Sequence, residues 1–172
     1  KPLGSGIIAT AIKKDKAPRS IMEEAVNVMT NLNSGGAKAM NAVGVNACTD
    51  ITGYGLLGHL LEMCQGSKIS ATIEFNEIPL MQGVFELAQK GFIPGGTKRN
   101  LDHVTPNVNF SKNISQEQKY LLADAQTSGG LLISVPKDKA EDLQNLLTEN
   151  QCLSSSVIGQ VYNSAEFPIY VD

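Results

Sequence analysis

Tryptophan is absent from the 172 residues, and aromatic side chains make up only 5% of them. Single-stranded nucleic acid is held largely by stacking on aromatic rings, so this composition argues against a base-binding platform. A basic surplus is missing too. The net charge is −3, which offers no general attraction for a phosphate backbone. Only three cysteines occur, Cys48, Cys64 and Cys152, far apart and without a Cys-x-x-Cys spacing. Neither a zinc site nor a disulfide framework is expected from them, and a reducing cytoplasm is the expected setting. No apolar run approaches the roughly 20 residues of a membrane span, and no charged-then-apolar signal segment opens the chain. The Gly-x-x-x-x-Gly-Lys spacing of a Walker loop is also lacking. There is no starting Met, and an opening of Lys1-Pro2 reads as a cut from a longer protein.

What is present is an ordinary globular composition, 42% hydrophobic, in a chain long enough to bury a sizeable core as one domain, 1–172. The glycine-bearing and then apolar segment Leu3 to Ile12 is expected to be a first strand. Pro18 suits a helix start, and Ile21, Met22, Ala25, Val28, Met29 and Leu32 follow as an apolar stripe. A short helix is expected from Ala37 to Val43, and a short buried strand from Val45 to Cys48. Lys68 to Phe75 alternates, with Ile69, Ala71, Ile73 and Phe75 on one side, as in a half-buried strand. Val84 to Ala88 predicts a short helix, Phe92 to Leu101 a loop, and Asp102 to Phe110 an edge strand interrupted at Pro106. Ser115 reads as a helix cap. Asp124 to Gly130 is a loop before the buried strand Leu131 to Val135. Lys137 to Asn150 is amphipathic, and Ser156 to Tyr162 and Phe167 to Val171 are the last two strands. The order implies an α/β (α+β) sandwich, a mixed sheet packed with helices.

The chain is organised around Ala47-Cys48-Thr49-Asp50-Ile51-Thr52-Gly53-Tyr54-Gly55-Leu56-Leu57-Gly58-His59-Leu60-Leu61-Glu62. It reads as a strand end, a turn and a helix start. A carboxylate at a strand end suits a hard cation such as Mg²⁺, and a helix N-terminus favours anions. Asp50 is therefore a candidate metal ligand, with an ordinary helix cap as the alternative. Thr52, Gly53 and Gly55 are either phosphate donors or simply the turn and a close helix contact. The glycine-rich Gly95-Gly96-Thr97-Lys98-Arg99-Asn100 segment pairs two cations with two polar side chains, and Thr97, Asn100 and Arg99 are its candidate phosphate-binding residues. Asp124 to Gly130 is a second polar, glycine-closed loop, read mainly as structural. His59 is expected to be a satisfied core or interface residue, His103 has no evident partner, and the cysteines are expected to be inert.

Three strings also resemble a known family: Thr49 to His59, Ile93-Pro94-Gly95-Gly96-Thr97-Lys98-Arg99-Asn100, and Asp124-Ala125-Gln126-Thr127-Ser128-Gly129-Gly130-Leu131-Leu132-Ile133. In this order, and after Lys1-Pro2-Leu3-Gly4-Ser5-Gly6, they resemble the C-terminal domain of selenophosphate synthetase (selenide, water dikinase). The Thr-Asp-x-Thr-Gly and Gln-Thr-Ser-Gly-Gly patterns also resemble relatives that make aminoimidazole ribonucleotide or mature hydrogenases. Where the family usually has Pro, this chain has Ala125.

The resemblance implies a fold like the C-terminal domain of aminoimidazole ribonucleotide synthetase. It implies a whole enzyme that converts ATP, selenide and water to selenophosphate, AMP and phosphate. It further implies Mg²⁺ at Asp50, ATP phosphates near Thr52, Gly53, Thr97, Arg99 and Asn100, and a homodimer. The family's reactive Cys or selenocysteine and its lysine lie in an N-terminal segment that nothing here matches. No catalytic residue is therefore expected in this chain, which alone should be inert. The rival expectations are another ATP-dependent activity of the same superfamily and a non-catalytic binding or assembly domain. If a domain has been cut away, an apolar seam near Leu3 to Ile8, or self-association, is expected.

Overall fold

A computed structural model describes all residues, 1–172. The chain forms eight α-helices and six strands. They are α1 (Ser5–Lys13), α2 (Arg19–Thr30), α3 (Ser34–Val43), β1 (Ala47–Asp50), α4 (Gly55–Ser67), β2 (Ile69–Ile73), α5 (Val84–Gln89), α6 (Gly95–Val104), β3 (Val108–Phe110), α7 (Gln116–Leu122), β4 (Leu131–Ser134), α8 (Ala140–Glu149), β5 (Gly159–Asn163) and β6 (Ile169–Val171). The mixed sheet expected from the sequence has four strands in the order β3-β6-β2-β5. β6 runs parallel to both β2 and β3, whereas β5 is antiparallel to β2. β3 occupies an edge, as Pro106 beside it predicts. β1 and β4 do not join this sheet. They form a separate antiparallel ribbon in which Asp50 faces Leu131 and Ala47 faces Ser134.

One hydrophobic core takes in residues of the four-stranded sheet and of α1, α4 and α7, with α4 packed directly on the sheet. The first two turns of α4, Gly55 through Leu61, are buried on every side, the mark of a helix enclosed by other elements. Leu57 has no exposed surface, and neither do Ile7 and Ile8 of α1, Leu121 and Leu122 of α7, or Ile169 of β6. α7 opens with the expected capping box. The Ser115 hydroxyl accepts from the Gln118 amide, and the Gln118 side chain accepts from the Ser115 amide.

Three expectations are corrected. The segment read as a first strand is helix α1. Ile7, Ile8 and Ala11 are its buried residues, at helical spacing, and a short apolar run does not distinguish strand from helix by periodicity. The same burial removes the expected apolar seam, because Leu3 is 5% exposed and Ile7 and Ile8 lie in the core. Large apolar side chains are exposed elsewhere, among them Met22 and Val26 on α2, and Val157 and Val161 around β5. Finally, Gly95 to Val104 is helix α6 rather than a loop and a strand. Thr97, Leu101 and Val104 form its buried stripe, and Pro94 precedes its first turn. His103 is therefore an exposed residue of a helix, not of a strand, and Pro106 lies in the short 3-10 turn that follows.

Candidate functional site

The fold gathers all three glycine-bearing strings, with the opening Gly4-Ser5-Gly6, around one carboxylate. Asp124 is fully buried at the end of α7. Its Oδ1 accepts from the Thr97 hydroxyl at 2.7 Å. Its Oδ2 accepts from the amides of Gly6 at 3.0 Å and Ile7 at 3.2 Å, and from Gln126 Nε2 at 3.1 Å. The two amides belong to the first turn of α1, so Asp124 caps a helix more than 100 residues away in sequence. A carboxylate there satisfies free amides and complements the helix dipole. Gln126 completes the cap: its Oε1 accepts from the amides of Gly4 and Ser5 and from the Ser5 hydroxyl. The Ser5 hydroxyl in turn accepts from the Thr127 amide. Burial pushes the Asp124 carboxyl up, to about 6, and the bonds from Thr97, Ile7, Gln126 and Gly6 oppose that rise.

The turn after β1 is fastened to the same hub. Gln126 donates its amide to the Thr52 carbonyl, and Ile51 donates to that of Gly130. Asn100 Nδ2 donates to the carbonyls of Gly53, at 2.8 Å, and Ala123, at 3.1 Å. Gly55 has φ +70°, and a Cβ there would meet the Ala123 carbonyl carbon at 2.6 Å. Only glycine lets α4 start this close to the end of α7.

The sequence candidates therefore separate into two groups. Thr97 is fully buried, with its hydroxyl committed to Asp124, so it acts on any ligand only through that carboxylate. Asn100 ties two loops together. Gly55 serves the close helix contact. Asp50, Gly53 and Arg99 are exposed, and Thr52 is half-buried. Asp50 is the last residue of β1 and does not cap α4, whose start is at Tyr54 without any side-chain cap. The guanidinium of Arg99 folds over Gly95, where a Cβ would lie 3.4 Å from it. The expected Mg²⁺ can be tested against these groups. Asp50 fits as one exposed carboxylate, but the chain gathers no cluster of three His, Cys, Asp or Glu side chains. Further oxygen ligands would have to come from a hydroxyl group, phosphate, water or another domain.

The cysteines remain unpaired. Burial raises the thiol of Cys64 to about 11 and also raises that of Cys48, where the Asp50 charge adds to the effect. Neither favours the reactive thiolate. The sequence reading undervalued Ser5 and Gln126, whose bonds span the length of the chain. It also missed a contact of His59: Nδ1 lies 3.0 Å from Glu62 Oε2, and Nε2 lies 3.0 Å from Thr52 Oγ1. The i,i+3 spacing of His59 and Glu62 is a local signal for the first of these.

The chain is similar to known proteins in sequence and in fold. The chain is 46% identical over 171 residues to a selenide, water dikinase of Caldanaerobacter subterraneus subsp. tengcongensis, covering 99% of this chain and 49% of that protein. It is 47% identical over 163 residues to the selenide, water dikinase of Myxococcus xanthus, covering 94% of this chain and 46% of that protein. The chain thus spans about half the length of the curated relatives it matches. Among solved structures, thiamine monophosphate kinase from Aquifex aeolicus matches 99% of this chain and 47% of its own, with TM-score 0.60 and 15% identity. Hydrogenase maturation protein HypE matches 96% of this chain and 43% of its own, with TM-score 0.61 and 16% identity. At those identities the two structures establish the fold. Residues 4–172 match the family described as AIR synthase related protein, C-terminal domain, and the protein, matched along nearly its whole length, belongs to that family.

Proposed function

We propose that this chain is the C-terminal half of a selenide, water dikinase, and that an N-terminal ATP-binding domain of the same polypeptide completes the active site. The observation that carries the reading is the similarity to the Caldanaerobacter enzyme, which runs along 99% of this chain. The parent enzyme would form selenophosphate, AMP and phosphate from ATP, selenide and water. It would act as a cytoplasmic homodimer, and the isolated chain would not turn over.

Each residue of this chain then has a definite task. Asp50 projects from the end of β1 and supplies one carboxylate oxygen to Mg²⁺. When bound, the ion neutralises charge on the phosphates of ATP. Arg99 and the exposed Gly53 turn face the phosphates as donors, the cation adding charge that survives where water is excluded. Thr97 and Asn100 keep these loops in place, Thr97 through Asp124 and Asn100 through the carbonyls of Gly53 and Ala123. Positioning of this kind carries much of the catalysis in phosphoryl transfer, where the protein contributes geometry and charge.

The test is Mg²⁺-dependent ATP hydrolysis with selenide, measured on this chain and on the full-length parent. Activity is expected only in the parent. Asp50→Ala should lower its kcat by about 100-fold or more, as removal of a group that stabilises transition-state charge does. Because Asp50 is exposed and caps no helix, the same substitution should shift stability by less than about 0.5 kcal/mol in urea unfolding. A parent that hydrolyses ATP independently of selenide overturns the assignment, and a parent indifferent to Asp50→Ala overturns the metal role.

A further inference from the structure

The Thr52–His59–Glu62 chain connects the turn after β1 to the surface of α4. Its two links are both 3.0 Å long. His59 is 8% exposed, and the Tyr54 ring stands edge-on to its imidazole at 5.8 Å between centroids. Glu62 is the charged partner on one side, and a carboxylate can only accept. In the neutral ring the proton must therefore sit on Nδ1, directed at Glu62, which leaves Nε2 as an acceptor. The one donor available to Nε2 is the Thr52 hydroxyl. Thr52 thus spends its proton on His59 and presents only lone pairs elsewhere. An oxygen in that state cannot donate to a phosphate, but it can ligate a hard cation, as the Ser or Thr hydroxyl of a phosphate-binding loop ligates Mg²⁺. Burial alternates along Asp50-Ile51-Thr52, with Ile51 in the core and Asp50 exposed. Asp50 closes β1 and Thr52 opens the turn two residues later, where its carbonyl accepts from the Gly55 amide.

We propose that Glu62 and His59 are positioning residues that hold the Thr52 hydroxyl as an acceptor, so that Thr52 joins Asp50 in ligating a divalent cation. This deepens the function proposed above and reassigns Thr52 from phosphate donor to cation ligand. The cation half rests on that reading, whereas the proton arrangement does not.

The two histidines of the chain make this measurable, because exposed His103 serves as an internal reference. Imidazole ¹⁵N spectra of the chain at neutral pH should show His59 as the Nδ1–H tautomer. Glu62→Ala should release it to a tautomer mixture like that of His103, and Glu62→Gln, whose side-chain oxygen still accepts, should restore it. A purely structural role for Glu62 would not predict rescue by Gln. Millimolar Mn²⁺ should broaden the His59 signals more than those of His103. The broadening should fall about tenfold in Thr52→Val and in Asp50→Asn, and persist in Thr52→Ser. An Nε2–H tautomer in the unsubstituted chain, or one unchanged by Glu62→Ala, overturns the proton arrangement. Equal broadening of both histidines, or broadening indifferent to Thr52→Val, overturns the cation role. Neither result depends on selenide. A parent that lacks selenide-dependent hydrolysis while its His59 behaves as expected would overturn the functional reading alone.

Discussion

Asp124 is the only acidic residue of the chain with no exposed surface, and its titration should be visible in the stability of the whole molecule. Its ordinary carboxyl value of 3.8 rises to about 6 in the fold. Folding therefore takes up a proton between those values. The contribution of the protonated form is fully present below about pH 4 and is lost as pH rises through about 6. A shift of about 2 units corresponds to about 3 kcal/mol. Unfolding free energies measured from pH 4 to 7 should show this downward slope, and Asp124→Asn should flatten it. The same substitution places an amide NH₂ opposite the Gly6 and Ile7 amides or the Thr97 hydroxyl. An NH₂ cannot accept, so the substitution should cost about 1–3 kcal/mol, the penalty of leaving buried donors unpaired. A variant as steeply pH-dependent as the parent chain would show that another group carries the linkage.

At the scale of elements, the junction between the β1 turn and the loop before β4 admits no side chain at Gly129. A Cβ there would collide with the Ile51 carbonyl oxygen, and the Ile51 amide is itself bonded to Gly130. Gly129→Ala should therefore destabilise by roughly 1–3 kcal/mol, the usual cost of forcing extra volume into a packed site, measured by urea midpoint. Gly53, where a Cβ would meet nothing within 4 Å, should tolerate Ala with a much smaller change. Many elements were legible in the amino-acid order. The buried Ala25 and Val28 of the α2 stripe, the Ser115 cap and the edge placement of β3 are all local patterns, whereas Met22 and Leu32 of that stripe are exposed and Ser70, expected on the outer side of β2, is buried. The helical character of α6 is masked in the sequence by Gly95 and Gly96, which resemble loop chemistry. Its buried Thr97, Leu101 and Val104 show their helical spacing only once Thr97 is known to face inward.

At the scale of the molecule, the start of the chain is held by a loop that lies more than 115 residues later. Gln126 alone accepts from Gly4, Ser5 and the Ser5 hydroxyl. Gln126→Ala would remove this acceptor without changing any residue of α1. Amide hydrogen exchange in the first turn of α1 should then rise about tenfold or more, while the amides of β2 and β6 stay near their parent rates. Exchange that rises equally throughout would mean that α1 opens only with global unfolding.

Apolar patterning, composition class and the three strings that resemble one family are legible before folding, because each is a matter of residue identity and short spacing. Only the folded chain makes Ser5 to Lys13 a helix, since its first-turn amides find their acceptors in Asp124 and Gln126, beyond the reach of any local pattern. Folding likewise decided that Thr97 is buried while Asp50 stays exposed, and that Thr52 meets His59. The physical reason is the same in each case: a polar atom's role depends on which partner faces it, and those partners are brought together only when the chain folds.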